Sequence, residues 1–410
     1  MKPEVYLICH EFSPTLGSEC KSGWNIALEL SSVCHLNVIA ASTNQWGTEH
    51  YKKQVMQDPL SNKFNMIWVD QPQIFHRPQN FGSNPITQFL YFLRLKKWSR
   101  SVCEILKSHD IQILHYYNHI SYRAYYTGFS DLSNSVYIGP ISGYHNIPCG
   151  FLKFGFRQNI KIITRNIFNT INSYASRRKF KHKSIKHIFC VTKDDKSALK
   201  TSSKHLSILS DMAVNSNIEE YDKTPFAADL NKDKLQLLWV GRLDNLKCLD
   251  ILLKVFENCK PIRGSFRLVI LGDGPNRMKY EAWVKKLNCD IQFKGKVSQR
   301  QVTEYMKKSD LLLQTSLKEA SGAVIFEALG AKLPVACHRA FGYTDLLRDE
   351  FSIQIEYISF KKSVDGFTSA LLSILNDESK LTKLKNSLLV SHTNMTWNDN
   401  AKIIQKCYER

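Results

Sequence analysis

The 410-residue chain has no run of the roughly 18 apolar residues that a membrane-spanning helix requires, which excludes a helical membrane protein. Its first residues, Met1 to Glu4, lead straight into a short apolar stretch at 5–9. The long apolar segment and small-residue cleavage site of a secretory leader are both missing, so the chain is expected to be cytoplasmic. Its 11 cysteines are scattered and odd in number, and no two are spaced C-x-x-C. That pattern speaks against a disulfide framework or a cysteine zinc site and for reduced, buried thiols. There is also no D-x-D and no His/Cys cluster, so neither a catalytic metal nor another cofactor is expected.

Negative charge is the other scarcity. Lys and Arg number 56 against 37 Asp and Glu, a net charge of +19. Divided at residue 225, the chain has 27 basic and 16 acidic residues before that point and 29 and 21 after it. The excess peaks at 151–186, with ten Lys or Arg and no Asp or Glu. Such a stretch suits nucleic acid, anionic lipid or a phosphate-bearing acceptor, or is a plain solvated face. No helix-turn-helix, RRM or KH pattern accompanies it, so nucleic acid is not the expected partner.

What is present is a rhythm of short apolar runs and helical segments. Strands are expected at 5–9, 36–41, 66–69, 111–115, 136–139 and 185–191, with helices at 23–32 and 86–107. After a polar stretch at 215–234 the rhythm restarts, with strands at 235–240, 267–271, 291–293, 310–314 and 334–337. Helices fall at 249–258, 275–287, 301–308 and 323–331. Strands alternating with helices imply β-α-β units and parallel sheets covered on both faces. The fold class is therefore α/β, with two doubly wound, Rossmann-like domains, 1–220 and 221–389, and 390–410 returning to the first. Ligands of such sheets bind at the carboxyl ends of the strands, here an expected interdomain cleft.

Three elements of the second half bear chemistry. Gly241 follows a strand, and Arg242 and Lys247 come next, at the edge where a helix begins. Two cations and a helix start can converge on a diphosphate. The turn Gly272-Asp273-Gly274-Pro275 opens the next helix and serves as scaffold that lines the nucleotide pocket. Glu319 and Glu327 lie on either side of a strand-to-helix turn made by Ser321, Gly322 and Ala323, where N–H groups of the coming helix are expected to point into the cleft. Each carboxylate can accept from a pair of hydroxyls.

In this order, G-R-L-x-x-x-K, G-D-G-P, E-x7-E and an L-P-V strand resemble the C-terminal domain of retaining GT-B glycosyltransferases of family 4 (glycosyl transferases group 1), over about 235–337. The resemblance implies that Arg242 and Lys247 bind the diphosphate of a UDP- or GDP-sugar. By the same resemblance Glu319 holds the donor sugar and Glu327 the ribose. The nucleobase slot follows the glycine of Phe293, Gly295, Val297, and Trp397 and Tyr408 resemble the segment that crosses back to the first domain.

The first half is similar to one subgroup of this family. Pro14, Gly17-Ser18-Glu19 and Gly23-Trp24 resemble its P-x-x-G-S-E-x-x-x-G-W loop, which implies Gly17 on the donor side and Ser18, Glu19 and Arg123 on the acceptor side. Asn118-His119-Ile120-Ser121 resembles an H-H-x-T stretch and Gly139 to Gly143 a G-P-x-G-G turn, with departures at Asn118 and Ser142. His119 is the catalytic histidine on this reading, with His115 as the competing choice.

The resemblance implies a bacterial polysaccharide-biosynthesis enzyme that retains anomeric configuration by front-face displacement, with Arg242 and Lys247 in place of a metal. The segments 86–107 and 151–186 mix aromatic or aliphatic residues with Lys and Arg, as interfacial surfaces do. They suggest peripheral contact with the inner face of an anionic membrane and a lipid-linked saccharide acceptor. The alternatives are a GT-B epimerase or phosphorylase acting on sugar phosphates, or a basic nucleic-acid-binding protein.

Overall fold

A computed structural model of the chain describes residues 2–44, 50–71, 85–152, 156–199, 205–214, 234–390 and 396–409. Most of the polar stretch expected at 215–234, including the boundary at 220, lies outside these residues. Two compact units are formed. The first comprises Met1–Asn146, Asn166–Ala213 and Thr396–Arg410, and the second Ile147–Arg165 and Val214–Met395.

The first unit is built on seven strands: β1 (Glu4–Cys9), β2 (His35–Ala41), β3 (Asn65–Val69), β4 (Ile113–Asn118), β5 (Val136–Ile141), β6 (Ile185–Cys190) and β7 (Leu206–Ile208). They pair in the order β3-β2-β1-β4-β5-β6-β7, all parallel. Val5 to Cys9 are all buried, because successive side chains enter apolar layers on opposite faces, Val5, Leu7 and Cys9 on one and Tyr6 and Ile8 on the other. The helix Trp397–Tyr408 belongs to this unit and packs on the helix Ser18–Leu30. Its Trp397, Ala401, Ile404 and Cys407 form a stripe at helical spacing within the β1–β2 side of the core. Thr396 and Asp399 cap its start in a reciprocal capping box.

The second unit has six parallel strands: β8 (Leu235–Val240), β9 (Phe266–Leu271), β10 (Ile291–Gly295), β11 (Leu311–Gln314), β12 (Val335–His338) and β13 (Ser352–Ile355). Their order is β10-β9-β8-β11-β12-β13. In each sheet the winding reverses once, between β1 and β4 and between β8 and β11. The loops that leave the carboxyl ends of those strands diverge there, which opens the crevice where ligands of such sheets sit.

Several boundaries differ from the sequence reading. The first helix begins at Ser18, five residues before the expected 23, because Gly17 turns the chain early with φ +40°. The strand expected at 111–115 runs Ile113–Asn118, which moves His115 from its end to its middle. Residues 147–165 pack with the second unit and not, as 1–220 implied, with the first. Phe151 accounts for this: it is fully buried in the second unit's core and its ring lies 4.9 Å from that of Tyr357. The Phe360 N–H also donates to the Gly150 carbonyl at 3.1 Å.

His115 is fully buried and satisfied at both ring nitrogens. Its Nε2 donates to the Gly139 carbonyl at 2.7 Å, so its Nδ1 accepts from the Tyr408 hydroxyl at 2.6 Å. Burial lowers its pKa to about 4 and keeps it neutral. It is therefore a tie between sheet and C-terminal helix. Tyr408→Phe strands a buried acceptor and should lower unfolding free energy by about 1–3 kcal/mol. Unchanged denaturation would contradict the tie.

Candidate functional site

At the second unit's switch point, the chain leaving β8 is shaped by its own polar groups. The Asp244 carboxylate accepts from the N–H groups of Leu246 and Lys247, at 2.9 and 3.0 Å. This closes a turn that precedes the helix Asp250–Asn258, so Lys247 sits before that helix and not in it. The turn is fastened to the loop after β11: Thr315 Oγ1 donates to the Lys247 carbonyl at 2.9 Å, and Leu317 N–H to that of Leu246 at 2.7 Å. Across this fastening the Lys247 ammonium pairs with the Glu319 carboxylate, both side chains only partly exposed. Arg242 is about half exposed, its Nε 3.6 Å from Asp244 Oδ2.

Backbone approaches backbone around this pair. A Cβ on Gly272 would lie 1.9 Å from the Gly241 carbonyl oxygen, and one on Gly274 within 2.6–2.8 Å of the Leu243 backbone. Only glycine lets the turns after β8 and β9 nest so closely, and Gly272 also has φ +128°. Beyond them, Gly295 ends β10, and Val297 follows half-buried. Past β11, Ser321 is fully buried, and Gly322 starts the helix Ala323–Gly330 with φ +74° and no side-chain cap. The Ile325 N–H donates back to the Gly322 carbonyl at 2.9 Å, and the helix start presents the positive end of its dipole. Ala323 and Glu327 lie on this helix, both half-buried.

The first unit's switch point is of opposite character. Glu19, in the first turn of the helix Ser18–Leu30, reaches across to the loop after β4. There its Oε1 accepts from Ile120 N–H at 3.0 Å and lies 3.2 Å from His119 Nδ1. Ser121 N–H donates to the same His119 nitrogen at 3.2 Å, which places the ring hydrogen of the neutral form on Nε2. Asn118, fully buried, clamps the other strand: it accepts from Glu11 N–H at 3.2 Å and donates to the Glu11 carbonyl at 2.8 Å. Its place is that of a structural stitch. Gly23 leaves it room, since a Cβ there would stand 3.0 Å from Asn118 Nδ2.

Glu11, which sequence reasoning passed over, joins this cluster. Burial pushes its carboxyl up to about 7, the Glu19 charge adds to the rise, and His119 and the Cys20 thiol oppose it. Burial likewise raises Glu19 to about 7 against the hydrogen bond from Ile120. Burial lowers His119, with Glu11 opposing, and holds His10 at about 3. Two carboxyls therefore sit poised to titrate near neutral pH, beside an imidazole that burial keeps neutral. Ser18 and Gly17 are exposed at the helix start, and no side chain caps it. Arg123 is not brought to this cluster. Its guanidinium donates to Asn169 Oδ1 at 2.7 Å and to the Tyr122 hydroxyl at 3.1 Å, and it lies over the Phe168 ring.

Comparison with known proteins agrees with this geometry. Residues 220–388 match the family model described as "Glycosyl transferases group 1". A relative, the phosphatidylinositol N-acetylglucosaminyltransferase GPI3 subunit of Saccharomyces cerevisiae, is 21% identical over 377 residues, 90% of this chain and 75% of that one. Among solved structures, WaaG, a glycosyltransferase involved in lipopolysaccharide biosynthesis, superposes with TM-score 0.59 and 18% identity over 98% of this chain and 99% of its own. Anabaena Alr3699/HepE in complex with UDP does so with TM-score 0.63 and 12% identity over both whole chains. Together they support a glycosyltransferase of the GT-B fold.

The raised carboxyl of Glu11 has a consequence for stability. Its folded value near 7 lies above the ordinary 4.5, so the folded state holds the proton more tightly. The cost of ionising it is absent below about pH 4.5, grows as pH rises and is complete above pH 7. At roughly 1.4 kcal/mol per pKa unit it reaches about 3 kcal/mol at most. Glu11→Gln should therefore unfold at a higher temperature than the native chain at pH 8, by a margin that shrinks at pH 5. A margin independent of pH would contradict the burial of this charge.

Proposed function

We propose that this chain is a retaining, metal-independent hexosyltransferase of glycosyltransferase family 4. It moves a hexose-type sugar from a UDP- or GDP-sugar to a saccharide acceptor, lipid-linked, in cell-surface polysaccharide assembly. The observation that carries the reading is the second unit's switch point, where Arg242, the Lys247–Glu319 pair and the uncapped helix start at Gly322 occupy the loops after β8 and β11. The neighbour solved with UDP shares the fold over its whole length. The name of the yeast relative, a phosphatidylinositol N-acetylglucosaminyltransferase subunit, supports a lipid-linked acceptor.

The roles follow from charge. Arg242 and Lys247 stabilise the negative charge that grows on the departing diphosphate, joined by the helix-start N–H groups. Glu319 accepts from donor-sugar hydroxyls and Glu327 from the ribose, while Gly241, Gly272 and Val297 line the nucleotide. When the donor enters, Lys247 exchanges part of its interaction with Glu319 for phosphate, which frees the carboxylate for the sugar. Retention comes from front-face displacement, in which the acceptor attacks on the face that the diphosphate leaves and a diphosphate oxygen takes the acceptor proton. In the first unit, His119, Glu19 and Ser18 receive the acceptor, and Gly17 approaches the donor phosphate. The chain acts in the cytoplasm, against the inner face of the membrane where a lipid-linked acceptor resides.

The test uses the native chain with a panel of UDP- and GDP-sugars and a saccharide-lipid extract, with the anomeric configuration read by NMR. Product of retained configuration is expected, undiminished by EDTA; inverted product would overturn the reading. Arg242→Ala and Lys247→Ala should each lower kcat by about 100-fold, the equivalent of roughly 3 kcal/mol of leaving-group stabilisation. Near-native turnover by Arg242→Ala would remove it from this role.

A further inference from the structure

The helix Phe156–Lys179 buries Asn169, Ser173 and Ser176 and half-buries Ile162, which packs on the second unit's core, while most of its described large apolar residues face solvent. Ile160 and Ile163 are each 42% exposed, Ile167 55%, Ile171 62% and Tyr174 64%. Their spacing of three, four, four and three residues makes one straight stripe along the helix. At 100° per residue that stripe lies opposite the buried face. The inward polarity has its own cause: Asn169 donates to the Tyr144 carbonyl and Asn146 Oδ1 and accepts from Tyr122 and Arg123, and Ser176 bonds the Tyr144 hydroxyl. The anchoring face is thus satisfied by hydrogen bonds, and core packing does not account for the outward isoleucines.

The segment is cationic and carries no anions: Lys161 and Arg178 on the helix, and Lys181, Lys183 and Lys186 after it, are exposed, and 151–186 holds no acidic residue. Arg177 lies over the Tyr174 ring at 4.6 Å. On the helix Pro85–Leu106, Phe89 is likewise 62% exposed. A second copy of this chain would oppose like charges across such a face, whereas an anionic bilayer satisfies the cations and the isoleucines together.

We infer that the helix Phe156–Lys179 lies in the plane of an anionic lipid surface and inserts Ile160, Ile163, Ile167, Ile171 and Tyr174 among the acyl chains. The inference deepens the lipid-linked acceptor reading by naming the elements that meet the lipid, and it rests on that reading only for the orientation of the acceptor. Binding is independent of transfer, so the two stand or fall separately.

The test is flotation of the full chain, without donor or acceptor, with vesicles of phosphatidylcholine alone or mixed with phosphatidylglycerol. The native chain should float with the mixed vesicles only, and more weakly as salt rises. Ile167→Asp/Ile171→Asp should reduce the bound fraction by at least about tenfold while its thermal melt stays native, since both positions are exposed. A second variant, Ile167→Leu/Ile171→Leu, should float as the native chain does. Equal flotation of the Asp variant would overturn the proposal, as would equal binding to neutral vesicles. A native chain that stays off both vesicles and sediments as a dimer, with the Asp variant monomeric, would overturn it in favour of a self-interface.

Discussion

Everything functional in this chain depends on one topological constraint, the single reversal of winding in each parallel sheet. Crossovers that start from the central strand must go one way on one side and the other way on the other. The loops leaving β1 and β4, and those leaving β8 and β11, therefore part. Polar residues held there escape the apolar layers that enclose the rest of each strand. The two switch points are the places where Arg242, Lys247, Glu319, Glu11, Glu19 and His119 can be kept together at the strand ends.

The two crevices use opposite electrostatics. In the second unit, two cations and a helix start without a side-chain cap stand about one carboxylate, an arrangement that favours an anion bearing hydroxyls. In the first, carboxyls are held near their protonation point by burial, with an imidazole kept neutral, an arrangement that suits hydroxyl recognition without a fixed charge. The chain's net charge of +19 therefore says little about either site. Much of it resides on outer helices, the Phe156–Lys179 helix above all.

The strands were legible in the sequence because a strand covered on both faces must be largely apolar, and β1, β2, β8 and β9 are, with polar residues mostly near their amino ends. The grouping of Arg242, Lys247 and Glu319 after β8 and β11 was legible because a glycine turn, two cations and paired carboxylates have fixed positions relative to those strands. Three things were not. The direction of the Phe156–Lys179 stripe could not be read, because a period of 3.6 reveals a face without saying which way it points. Here Tyr144 and Tyr122 reward the polar side. Glu11 carries no motif, and only the fold brings it beside Glu19 and His119. His115 and Arg123 looked like site residues by position, yet their partners are Tyr408 and Gly139 in one case and Asn169 in the other.

The central claim is that the second unit's switch point holds the sugar and the diphosphate of one donor through different residues. Calorimetric titration of the chain with a nucleotide diphosphate and with the matching nucleotide-sugar tests it most directly. The account predicts that Glu319→Gln weakens the nucleotide-sugar and leaves the nucleotide diphosphate nearly unchanged, while Arg242→Ala weakens both. A native chain that binds no nucleotide-sugar, or a Glu319→Gln chain that binds both ligands as the native one does, would contradict it.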